Sequence, residues 1–290
     1  MSAWLLLGLS IACSCAINLI FKALPKFSID RFPAIVVNYL VCFSVGFIQD
    51  GHYDAGQYVH SNWFPWLILL GCFFVLIFFF MATTTVKLGV SVNAVSSKMA
   101  MIIPIILAIW WFKEQTTPLF FIGVALALTS IYLISIRHEL KLNRHYIWYP
   151  IIVFLGSGAI DFSLKLIEYH LSEKVAASQL SMTIFLGAFA MGLAVSIYRL
   201  GTSRFSWSYT NILAGIALGI PNYFSIYFLI RSLASFKEQS AMVFGINNVA
   251  VVLFSTLLSV IIFKEHLSRK NQIGLALAAI AILIIAYVQG

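Results

Sequence analysis

Two stretches decide the fold: FKEQTTPLFFIGVALAL, residues 112–128, and FKEHLSRKNQIGLALAA, residues 263–279. Aligned without a gap they match at eight of seventeen positions, at an offset of 151 residues, about half the chain. Each copy ends one apolar segment, turns a charged corner and starts the next. Thr117, before Pro118, and Ser268 are aligned and both read as N-caps of the outgoing helix. Gly123 and Gly274 also align, inside an apolar helix, where the missing side chain lets two helices approach closely. The chain is therefore a repeat of a helix–corner–helix unit, and the rest is read against that repeat.

Composition identifies the solvent. Hydrophobic residues make up 61% of the chain and charged residues 10%, against about 25% charged in a soluble domain. Apolar segments of roughly 20 residues recur throughout, long enough to cross a bilayer, and the short alternating strands of a membrane barrel are absent. The reading is an all-α polytopic membrane protein. Ten transmembrane helices are expected, over residues 3–23, 32–49, 63–86, 89–112, 118–136, 147–171, 175–198, 211–233, 240–263 and 271–288. The first has no basic leader or cleavage site and reads as a retained helix. The net charge of +8 is spread over short loops, which points to membrane orientation and lipid headgroups and away from nucleic acid. Cys13, Cys15, Cys42 and Cys72 all lie in apolar segments and read as packing residues. His52 and His60 read as solvated loop side chains.

Residues 1–136 form the first five-helix repeat, residues 137–146 a basic connecting loop, and residues 147–290 the second repeat. Five spans is an odd number, so the second repeat must enter the membrane inverted; two inverted five-helix repeats are a signature of secondary transporters. Loop charge supplies the orientation. One side carries Lys22, Lys26, Arg31, Lys87, Arg137, Lys141, Arg144, Arg199, Arg204, Lys264, Arg269 and Lys270; the other carries Lys113, Lys174, Arg231 and Lys237. The positive-inside rule places the first group in the cytoplasm and both termini outside.

Polar residues at membrane depth cost at least about 2.5 kcal/mol when ionisable and mark functional positions. Lys98 is the sharpest, about ten residues into the fourth span, within Asn93-Ala94-Val95-Ser96-Ser97-Lys98. It is expected to bind an anionic group or to titrate, or else to form a buried ion pair, with Asp161 as one partner. At offset 151, Ser96, Ser97 and Lys98 face Asn247, Asn248 and Val249 in the ninth span. Span one carries Ser10, Ser14, Asn18 and Lys22 at i, i+4 spacing, a single stripe. Span six carries Ser157, Asp161 and Lys165 at the same spacing, then Glu168, and offset 143 superposes the two stripes. Lys22 reads as snorkelling. Asp161 reads as lining a polar cavity or as pairing with Lys165, four residues away; Lys165 as snorkelling, paired or functional. Asn222, after Pro221, is a supporting polar position. Pro221 and Pro104 read as kinks, and Asn38 as interhelical glue.

No phosphate-binding loop, zinc-protease motif, nucleophile elbow or potassium-filter sequence occurs, so no cofactor is expected and the chain is not read as an enzyme. Phe112-Lys113-Glu114 with Ile122-Gly123-Val124-Ala125-Leu126, and Phe263-Lys264-Glu265 with Ile273-Gly274-Leu275-Ala276-Leu277, resemble the drug/metabolite transporter superfamily, and within it the EamA branch of ten-helix exporters. The architecture covers the chain and the motif about 34 residues. The resemblance implies a central polar cavity with alternating access, a small-metabolite or drug substrate, possible proton or ion coupling, a bacterial-type inner membrane, and a structural role for Glu114 and Glu265. It also implies both termini in the cytoplasm, opposite to the charge count. The alternative is a lipid translocator or a membrane-embedded enzyme acting on a lipid-like substrate; a non-transporting receptor or subunit ranks below both.

Overall fold

The structure is a computed structural model that describes residues 1–27, 31–50, 59–136, 146–200 and 208–289. The connecting loop over 137–145 and His52 lie outside the described residues, as do Arg204 and the side chains of Lys26, Arg31 and Arg199.

Among the described residues the fold is all helical, with ten spans long and apolar enough to cross a membrane. In chain order the helices are α1 (Ala3–Ala23), α2 (Arg31–Asp50), α3 (Phe64–Leu88), α4 (Val90–Met99), α5 (Ile102–Trp111), α6 (Pro118–Ser135), α7 (Trp148–Leu171), α8 (Ala177–Leu200), α9 (Tyr209–Phe236), α10 (Ser240–Phe263) and α11 (Arg269–Gln289). Helices α4 and α5 are two halves of the expected fourth span. The span breaks because Pro104 has no N–H for the Ala100 carbonyl and its ring crowds that oxygen. Ala100 O accepts from Ile103 N instead, and Met101 N–H reaches back to Lys98 O; both are three-residue steps where an α-helix takes four. Pro221, by contrast, lies inside the continuous 28-residue α9, so the expected kink there is no break.

The corners form as their residues dictate. The Thr117 side chain accepts from Phe120 N, and Pro118 occupies the first turn. In the second copy Ser268 Oγ accepts from Asn271 N, while Asn271 Oδ1 accepts from Ser268 N, a reciprocal cap of the capping-box kind. Both corners begin with a lysine in the left-handed region, Lys113 at φ 55° and Lys264 at φ 53°. The repeat in sequence is thus also a repeat in backbone conformation.

The described chain divides into two compact units, each built from both halves of the sequence. The first comprises Met1–Leu7, Ile77–Glu168 and Ser232–Gly290; the second Gly8–Leu76 and Tyr169–Arg231. In the first unit α6 and α11 pack antiparallel: a methyl at Gly123 would lie 2.7 Å from Ile285 Cγ1, and one at Gly274 would lie 2.8 Å from Ile134 Cγ1. At offset 151 these two contacts are the same contact seen from either helix. The start of α10 is the buried centre of this unit; Ala241, Met242, Val243 and Phe244 are all fully covered, as expected for a helix apolar on every side.

In the second unit α2 and α8 also run antiparallel, with Val36 beside Gly192, Tyr39 stacked on Phe185, and Asp50 bonded to Ser178 and Gln179. Helix α9 lies along α2, where Gly215 and Gly219 admit Val37 and Val41. The cysteines are all free thiols; Cys42 is buried and donates to Gly219 O at 3.2 Å.

Candidate functional site

The first unit brings three polar residues together from three helices. Lys98 stands in the last turn of α4, beside the break at Ala100 and Met101. Asp161 stands mid-length in α7 and Asn248 in the buried half of α10. The Asp161 carboxylate senses the positive charge of Lys98 and the amide of Asn248. Asn248 donates to Phe244 O of its own helix at 3.2 Å, which fixes its orientation. An ammonium or a carboxylate alone at this depth is expensive, and opposite charges on neighbouring helices lower that cost.

Of the sequence candidates, Ser97 and Asn247 flank this group. Ser97 Oγ donates to Ala94 O at 3.4 Å, a bond within its own helix. The buried Oδ1 of Asn247 has no hydrogen-bond partner among the described residues, and the same holds for Asn93 in α4. Lys165 sits one turn further along α7 than Asp161 and does not reach the surface. It is 3% exposed, its Nζ lies 2.7 Å from Glu168 Oε2 and 3.1 Å from Lys237 O, and it caps the Phe112 ring at 5.4 Å. Lys165 thus pairs with Glu168 and not with Asp161, while Lys98 acts on Asp161 through its charge. Asn18 and Asn222 belong to the second unit. Asn18 is exposed on α1; Asn222 donates to Asn38 Oδ1 at 3.1 Å, an interhelical bond of the kind expected for Asn38.

Two residues matter more than the sequence alone indicated. Glu114, 4% exposed, accepts from Ser240 N at 2.9 Å, from Ala241 N at 2.8 Å and from Ser240 Oγ. Its carboxylate therefore closes the N-terminus of α10, where free N–H groups and the helix dipole favour an anion. Asn271 donates to Leu133 O and Ile134 O, both at 2.9 Å, and so satisfies the last carbonyls of α6. Its signal in the sequence is the Ser-x-x-Asn spacing from Ser268; its second partner lies 137 residues away.

Fold and site together define a multi-pass helical membrane protein with the Lys165–Glu168 ion pair buried among its helices. No family model matches the chain. An uncharacterized protein of Haemophilus influenzae is 24% identical over 286 residues, which cover 96% of each chain. A solved crystal structure 14% identical to this chain superposes with a TM-score of 0.78 over 99% of this chain and 97% of its own; at that identity the likeness is one of fold.

Proposed function

We propose that this protein is a secondary transporter, of the EamA-like exporter kind, that moves a small metabolite or drug by alternating access. The observation that carries this reading is the placement of Lys98, Asp161 and Asn248 at the interruption of the fourth span. Interrupted helices with ionisable residues at the break are where secondary transporters bind substrate and coupling ions. Lys98 comes from the first sequence half and Asp161 and Asn248 from the second, so both halves contribute to the site. Lys98 engages an anionic group of the substrate or exchanges a proton with Asp161 during the cycle. The antiparallel, reciprocal packing of α6 on α11 favours inverted repeats, because a two-fold axis in the membrane plane reverses every helix it relates. The resemblance supports a bacterial-type inner membrane, and the loop charges favour termini outside.

The test is thermal stability of the purified protein in detergent across amino acids, nucleosides, sugars and organic anions, with Lys98→Ala alongside. A ligand at 100 times its Kd adds about 2.7 kcal/mol, and the expected result is stabilisation by one chemical class that the variant loses. Equal stabilisation of both proteins removes Lys98 from the site. Stabilisation by lipid alone replaces the transporter of soluble metabolites with a lipid translocator.

A further inference from the structure

The fourth span, α7 and α10, which carry Lys98, Asp161 and Asn248, are tied together a second time, closer to one membrane face. From α7 come Lys165 and Glu168, one and two turns beyond Asp161 on the same helix. From the corner after α5 come the Phe112 ring, under Lys165 Nζ, and Glu114. From the turn between α9 and α10 come Lys237 O, which Lys165 bonds, and the first N–H groups of α10, which Glu114 holds. Lys165, Glu168, Glu114 and Ser240 are all at most 5% exposed. Two joints of this assembly, Lys113 at φ 55° and Lys237 at φ 43°, hold lysine in the left-handed region, a strained conformation that a static turn could relieve with glycine. One helical turn is about 5.4 Å, so Lys165 and Glu168 lie one and two turns from Asp161 along α7.

The geometry points to a gate: Lys165, held in place by Glu168 on its own helix, ties α7 to Lys237 O and the Phe112 ring and, with Glu114 on the start of α10, closes one end of the site at Lys98 and Asp161; it is shut in this structure. The inference rests on the transporter reading above. The gated end is that of the corner after α5 and the α9–α10 turn, the face with few basic residues, which the charge count places outside. A buried charge is costly to leave with one partner missing, which suits a two-state joint.

The experiment uses the full chain in oriented vesicles with a reporter cysteine, Ser97→Cys, beside Lys98. A membrane-impermeant thiol reagent is added to one face or the other, and labelling at position 97 is read by peptide mass spectrometry, so the native cysteines stay in place. Lys165→Met removes the bond to Lys237 O and keeps an unbranched stem over Phe112, and Glu168→Gln removes the carboxylate that holds Lys165 in place, so one variant remains informative if the other fails to fold. Labelling from the α9–α10 face is expected to rise about tenfold in either folded variant, the response of a two-state opening equilibrium that loses its latch. Unchanged labelling from that face in a folded variant overturns the gate, as does an equal rise from both faces. Labelling does not depend on any substrate. A rise without transport leaves the gate standing and removes the transporter reading; transport without a rise does the reverse.

Discussion

Gly123 of α6 lies against Ile285 of α11, so close that a Cβ on the glycine would sit 2.7 Å from Ile285 Cγ1. Gly274 and Ile134 repeat the contact 151 positions on. Membrane helices gain no hydrophobic driving force from pairing, so close backbone approach and dispersion contacts hold such a pair together. Gly123→Leu is therefore expected to destabilise the protein by about 1–3 kcal/mol through overpacking. Gly8 is the control: nothing lies within 4 Å of a methyl placed there, and Gly8→Ala is expected to be neutral or slightly stabilising, since alanine favours a helix by about 1 kcal/mol. Thermal unfolding in detergent measures both, and equal effects at the two glycines would refute the close-packing account.

Asn271 joins two helix ends by its own side chain. Its Nδ2 reaches Leu133 O and Ile134 O while its Oδ1 receives Ser268 N–H and Oγ–H. Asn271→Ala removes a cap and leaves carbonyls at the end of α6 without their donor, a loss of about 2 kcal/mol. Asn271→Asp keeps the acceptor and loses both donors, so it should fall close to alanine. Amide hydrogen exchange at the first turn of α11 is expected to quicken more in Asn271→Ala than in Asn271→Asp, because only the alanine variant loses the cap on Ser268 as well.

The Lys98–Asp161 pair calls for a double-mutant cycle. Lys98→Met leaves a carboxylate at membrane depth without its cation, and Asp161→Asn leaves an ammonium without its anion. Each single variant is expected to cost more than the double variant, with a coupling energy of about 1–3 kcal/mol. Both groups are half-buried, which sets the range below that of a fully enclosed pair. Additive costs in denaturant unfolding would show that the two charges do not sense one another.

What could be read in advance followed from local rules. The ten spans came from lengths of apolar chain set by bilayer thickness. The corners came from Thr117, Pro118 and Ser268, whose capping chemistry acts within one turn. The close approach at Gly123 and Gly274 came from their shared place in a repeated helix. Each is a property of a short segment or of an alignment of the chain with itself, and sequence carries both. Span boundaries were right to within a few residues for the same reason. The interruption of the fourth span was only half legible: Pro104 announced a disturbance, but the rearranged bonds at Ala100 and Met101 appear in coordinates alone.

The sequence by itself determined the solvent, the helices, the repeat and the short list of polar residues that membrane depth makes costly. Tertiary structure alone decided which of them meet. The charge of Lys98 acts on Asp161, 63 positions away, while Lys165 passes over the carboxylate four residues behind it for Glu168, three ahead. Glu114 reaches a helix start 126 residues on, and within the second unit Asn222 bonds Asn38, 184 residues away. The physical reason is that side-chain spacing along a helix sets only which face a charge lies on. Which charge it meets there depends on the helix packed against that face, and that choice belongs to the whole set of helix contacts.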